Sequence, residues 1–211
     1  MSEARFGVPE GELEVRREGD GGVRLSGRFP YNSLAVLSDG GRSGRPMKEQ
    51  IASGAFAFSV KSGDEIHLLA GHSFDRPLAR KLDGSLALRD AADALSFTAV
   101  LSPALLEASY VKDVLAQIEA GLAVGVSPGF RLPPERAVPR DRAETVEEEE
   151  YAPEEGKHRA LIRTVREAIL FELSIVTRPA YRDSSAEITR MADYRGRGGV
   201  AEIVRRRYRW R

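Results

Sequence analysis

Leu122-Ala-Val-Gly-Val-Ser-Pro-Gly-Phe130 is the stretch from which fold and chemistry are read. It holds a single hydroxyl, Ser127, between Gly125 and Gly129. Ala123 to Val126 reads as a short buried strand, and Pro128 is expected to end it. Glycines two residues to either side leave open space around the serine oxygen. Backbone N–H groups could then approach and face a developing negative charge. The plainer reading is a turn serine after a core strand.

The totals narrow the classes open to the chain. Its 211 residues suit one domain with a real core and flexible ends. Thirty-two basic and thirty-two acidic side chains cancel, so no global field marks a nucleic-acid binder. The charge is segregated, however. Glu144, Glu147 to Glu150, Glu154 and Glu155 crowd one segment, and eight arginines from Arg190 onward face only Asp193 and Glu202. The absence of cysteine excludes disulfides, thiol catalysis and thiolate metal sites. No apolar run reaches bilayer length, so a soluble cytosolic protein without a membrane partner is expected. No metal or cofactor is expected either.

Working outward along the chain, Leu13 to Arg17 and Val23 to Gly27 alternate apolar and polar around a Gly-rich link, a hairpin signature. Ser38 to Pro46 is Gly-rich, but it lacks the Lys-Ser/Thr end of a phosphate loop and a helix after it. Glu65 to His72 reads as a strand with His72 at its end, on the face of Ile66, Leu68 and Ala70. Ser73 to Pro77 is expected to form the turn that follows. Leu86 to Leu88 and Leu95 to Leu101 read as two further strands. Ser102-Pro103 opens a helix whose stripe is Val111, Val114, Leu115, Ile118 and Leu122, with Gly121 as its stop. Residues 131–157 are Pro-rich and acidic and read as a mobile loop whose charge is solvated. In the last strand-like run Phe171, Leu173 and Ile175 share one face, and Glu172 shares the other with Ser174. A carboxylate there is costly unless paired or hydrogen-bonded.

The chain therefore offers His72, Ser127 and Glu172 as catalytic candidates, in that order. A serine hydroxyl needs a base within hydrogen-bond reach, and the base needs a partner to fix its tautomer. His67, pointing the other way on its strand, and His158, in the acidic loop, are weaker bases. A core histidine and a structural ion pair are the plainer readings of His72 and Glu172. Gly125-Val-Ser-Pro-Gly129 also fits the Gly-x-Ser-x-Gly elbow, but that elbow needs a helix next and a histidine after the acid. Neither is offered here.

At these residues the sequence resembles the prohead maturation proteases of tailed bacteriophages, themselves distantly similar in fold to the herpesvirus assembly proteases. Ile51-Ala-Ser-Gly-Ala-Phe-Ala57 is similar to the family's Pro-Gly-Ala-Phe element, with Ser53 where proline is usual. Leu68-Leu-Ala-Gly-His72 with Arg76-Pro-Leu78 resembles its histidine motif, and Gly125 to Phe130 its serine motif. Leu170-Phe-Glu-Leu-Ser-Ile-Val-Thr-Arg-Pro-Ala180 resembles its Glu-Val-Ser-Leu-Val-Thr-x-Pro-Ala motif. The four stand in the family's order between about Gly27 and Arg182.

The resemblance implies a mainly β fold with helices (α+β), a compact antiparallel β-barrel surrounded by helices. It implies His72 as general base, Ser127 as nucleophile and Glu172 as third member, where the herpesvirus relatives use a second histidine. It further implies a serine endopeptidase inside the immature capsid, in the cytoplasm of the bacterial host. There it would cut scaffold segments from the major capsid protein, and itself. Partners would be that capsid protein and further copies of this chain, with no specific nucleic acid. A catalytically inactive assembly factor on the same fold is the alternative. The expected organisation is a flexible 1–11, a protease domain 12–183, and a flexible basic tail 184–211 that could dock acidic scaffold or be cut away.

Overall fold

The hairpin read near the N-terminus is present: β1 (Glu14–Arg17) pairs antiparallel with β2 (Val23–Pro30), Val15 facing Leu25. The computed structural model describes residues 14–17, 21–40, 44–123, 125–155 and 157–179. The expected flexible 1–11 and basic tail 184–211 lie outside them. Period-two burial along β2 seats Val23, Leu25 and Phe29 in the core. β7 (Leu86–Asp90) and β8 (Ala94–Leu101) complete the sheet in the order β1-β2-β8-β7.

A second sheet is built from β3 (Ala35–Ser38), β4 (Met47–Ile51), β10 (Glu144–Glu148) and β13 (Leu161–Val165), in the order β10-β13-β4-β3. The third holds the candidate residues. It is made of β5 (His67–Ala70), β6 (Ser73–Arg80), β9 (Gly125–Arg131) and β14 (Ile169–Val176), in the order β6-β5-β14-β9. A two-stranded ribbon, β11 (Tyr151–Ala152) with β12 (Lys157–His158), stands apart. Pairings among the described residues are antiparallel except β13 with β4 and β14 with β5. The mixed, mainly β class is as expected. The hydrogen-bonded pairings are open sheets with unpaired edges and do not close the expected barrel among the described residues.

Helices pack around these sheets. Ser102 caps α2 (Pro103–Leu106), its Oγ accepting from the N–H of Leu105 at 3.3 Å. The helix then breaks, and α3 (Ser109–Glu119) carries the buried stripe Val111, Val114 and Ile118. Gly121, at φ 71°, ends it, so Leu122 lies beyond the helix and exposed. The Ser-Gly-Ala-Phe element makes a turn, with Gly54 at φ 74°, that leads into α1 (Ala57–Lys61). Phe56 is fully buried, and its ring lies 5.7 Å from Phe130 and 6.4 Å from Phe29. Phe130 closes the serine-bearing stretch, so this cluster anchors that stretch to the core. Phe56→Ala is expected to cost about 3–5 kcal/mol, read as a loss of chemical stability in denaturant unfolding.

The acidic segment differs from the expectation of a mobile loop. It contains α4 (Arg140–Ala143), β10, the β11–β12 ribbon and a short 3-10 turn at Pro153–Glu155. Its charge is not all solvated. Glu144 takes Arg163 Nε on one oxygen and Arg140 Nε on the other, both at 2.6 Å, while Arg163 NH1 bonds Glu49 at 2.6 Å. Buried Glu149 is bonded by Lys48 and by the N–H groups of His158 and Ala160. Charges on three adjacent strands, Arg163 directly opposite Glu49 and diagonal to Glu144, thus help hold a sheet whose own apolar pattern is weak.

Burial pushes Glu144 up, but its two arginines outweigh this and hold its carboxyl below the usual range. The Lys48 hydrogen bond, against burial and with the two backbone donors, holds Glu149 low as well. A depressed folded-state pKa contributes stability that is present above the unfolded value of about 4.3 and is lost as pH falls through the folded one. The melting temperature is therefore expected to fall on acidification below about pH 4.3. Glu149→Gln should lower it at neutral pH and flatten that acid limb.

Candidate active site

Ser127 is the third residue of a seven-residue strand rather than the last residue of a shorter one. Pro128 sits inside β9, opposite Leu173, and does not end it. An edge strand tolerates a proline because one side of its backbone has no ladder to supply. β14 lies next to β9, with Ser174 opposite Ser127 and Glu172 opposite Gly129. Residues paired across a ladder project to the same face, so Ser127, Glu172 and Ser174 share one. The other face carries Val126, Leu173 and Ile175 into the core.

A bulge explains how a buried carboxylate comes to face this way. The β9–β14 register shifts between Leu170 and Glu172. Strict alternation would put Leu170 and Glu172 on one face. The extra residue lets Leu170 enter the core, leaves Phe171 exposed, and turns Glu172 toward the opposite side. Phe171 therefore does not join Leu173 and Ile175, contrary to the alternation read from the sequence.

His72 is not on a strand. Ala70 and Ser73 face each other at the ends of β5 and β6, and the two-residue turn between them is Gly71-His72, at φ 63° and 60°. Two positive φ values in a two-residue hairpin loop are the type I′ pattern, which ordinarily selects Asn and Gly. Ser73 to Pro77 belongs to β6 and is not the turn. A histidine held in the left-handed region costs about 1–3 kcal/mol, a strain that clusters at functional sites.

That turn delivers the imidazole to Glu172. His72 Nδ1 lies 2.7 Å from Glu172 Oε1. A carboxylate only accepts, so Nδ1 carries the hydrogen, and Nε2 of the neutral ring is left as an acceptor. The other carboxylate oxygen, Oε2, accepts from Ser174 Oγ at 2.7 Å, and Ser174 Oγ accepts from the His72 N–H at 2.9 Å. The carboxylate is almost wholly buried, with 4 % of the Glu172 side chain exposed against 46 % for His72. Ser127 is half-buried, not sealed in the interior. His72 and Glu172 are thus in direct contact, and Ser127 stands on the neighbouring strand of the same face.

The glycines flanking Ser127 also serve close packing. A Cβ on Gly129 would overlap the Glu172 carboxylate, and one on Gly125 would overlap the Pro179 ring. Gly129 makes room for the carboxylate. Gly129→Ala is expected to displace Glu172 and lower the cleavage rate by about 100-fold, a loss of the size caused by small misplacements in a site. A peptidase assay beside a circular-dichroism spectrum checks it.

His67 opens β5 as the Cα partner of Glu172, and its ring packs edge-on to Phe74 at 5.7 Å. His158 lies in the β11–β12 ribbon. The sequence reading gives Ser174 no role. The signal for it was a small polar residue two positions beyond a buried carboxylate, hence on its face of the strand. Among the described residues no cluster of three or more His, Asp or Glu could hold a metal ion, and no helix is long and apolar enough to cross a membrane.

No curated protein and no solved structure matches the chain. The family model of the caudovirus prohead serine protease matches residues 31–195. That span includes the Gly71-His72 turn, the β9 serine and the β14 carboxylate. The chain belongs to the caudovirus prohead serine protease family.

Proposed function

We propose that the chain is the serine endopeptidase of phage head maturation, with His72, Ser127 and Glu172 as its catalytic triad. One observation carries the reading: the 2.7 Å bond from His72 Nδ1 to buried Glu172, on the face that also bears Ser127. Ser127 Oγ attacks the scissile carbonyl while His72 Nε2 takes its proton. Glu172 holds the tautomer and stabilises the imidazolium that forms. As the tetrahedral intermediate collapses, the C–N bond breaks and His72 returns the proton to the leaving amine. Water, deprotonated by His72, then attacks the Ser127 ester, and the acid product leaves with the hydroxyl restored.

The substrates proposed are the scaffold segment of the major capsid protein and the protease chain itself, inside the prohead. Family membership supports the capsid as the place of action. Incubating the protein with its own capsid protein, scaffold segment attached, should release that segment and self-cleavage fragments, identified by mass spectrometry. An inert assembly factor would leave both chains whole. If His72 is the base, His72→Ala loses cleavage while the fold is kept, because nothing is left to take the serine proton. Cleavage at the parental rate in that variant would remove His72 from the role.

A further inference from the structure

The fully buried Ser174 is bonded to two of the three candidate residues at once. Its hydroxyl has one hydrogen to give, and this goes to Glu172 Oε2 at 2.7 Å. Its oxygen accepts the backbone N–H of His72 at 2.9 Å. The first bond fixes the rotation of the carboxylate, so that Oε1 and not Oε2 meets the imidazole. The second holds the strained turn on which His72 stands, at φ 60°, against β14. A further backbone bond, from the Gly71 N–H to the Ile175 carbonyl at 3.0 Å, ties the same turn to the same strand. Ser174 also stands directly opposite Ser127 in the β9–β14 ladder. It therefore adjoins every member of the proposed triad.

We propose that Ser174 is a positioning residue that locks the His72–Glu172 pair in its working geometry. The inference rests on the triad reading above. Without the hydroxyl, the carboxylate loses a buried donor and is free to turn, and the His72 N–H loses its acceptor. The pair then spends less time with Nδ1 bonded and Nε2 presented to Ser127. Ser174 is sealed from solvent and cannot touch substrate. Its loss should therefore appear in kcat and not in KM.

The test uses the full chain with its scaffold-bearing capsid protein as substrate. Ser174→Ala is expected to lower kcat by about 10- to 100-fold, the range for removing an outer partner that orients a functional group, with KM unchanged. The low-field proton NMR signal of the His72 Nδ1–H, observed in a Ser127→Ala background to stop turnover, should broaden or vanish when Ser174→Ala is added. Ser174→Cys, nearly the same size but a weak donor, should fall between parent and alanine in both readouts. It decides the matter should the alanine variant not fold. Parental kcat with an intact low-field signal in a folded variant would overturn the inference. So would a change confined to KM. If Ser127→Ala itself still cuts, the triad reading fails instead, and the two failures are thereby separate.

Discussion

Ser127→Ala is expected to lower release of the scaffold segment by about 10⁴-fold or more, with thermal unfolding unchanged. The size of the effect follows from the chemistry. Without the oxygen no ester forms, and what remains is whatever binding and polarisation the site gives to attack by water. The intact fold follows from position. Ser127 is half-buried on an edge strand, its neighbours Val126 and Phe130 carry the packing, and the β9–β14 ladder is made by backbone groups. Cleavage assays on purified protein, beside a melting curve, check both halves. A variant that cuts as fast as the parent would show that another residue is the nucleophile.

Glu172→Gln is expected to reduce kcat by about 10³- to 10⁴-fold, the scale for a triad whose histidine is held in the wrong tautomer. The amide is nearly the same size, so the bulge and the packing over Gly129 are kept. The Ser174 hydroxyl would still donate to the amide oxygen. That leaves the amide NH₂ facing His72 Nδ1, which must now accept. The ring hydrogen moves to Nε2, and Nε2 then donates toward Ser127 instead of taking its proton. Gly129→Ala acts on the same carboxylate through space instead of charge, so its smaller loss and this larger one should not add. Kinetics of the double variant check this: the two effects add in log kcat only if they are independent.

The candidate residues were legible because acyl transfer through serine calls for these residue types, and because the motifs around them stand in the order of the family they resemble. His72, Ser127 and Glu172 needed only that logic and the motifs around them. Their supports were harder to read, each for a physical reason. Gly71-His72 is a hairpin turn without an Asn, so alternation ran His72 on into the strand. Pro128 reads as a breaker because its proline lacks a donor, but an edge strand has a side on which none is required. The bulge before Glu172 leaves no mark in composition, and it reverses the face of Leu170. β10 is mostly glutamate and threonine, and what makes it a strand is Arg163 on its neighbour β13, a contact distant in sequence. The closed barrel was implied by resemblance alone, and the described pairings give open sheets.

The most direct test of the central claim is to treat the protein with a serine-reactive aryl phosphonate and map the adduct by mass spectrometry. Labelling on Ser127 that is lost in His72→Ala, with the fold retained, is the predicted result, because the probe needs an alcohol activated by a neighbouring base. No adduct at Ser127, or equal labelling with the imidazole removed, would contradict it.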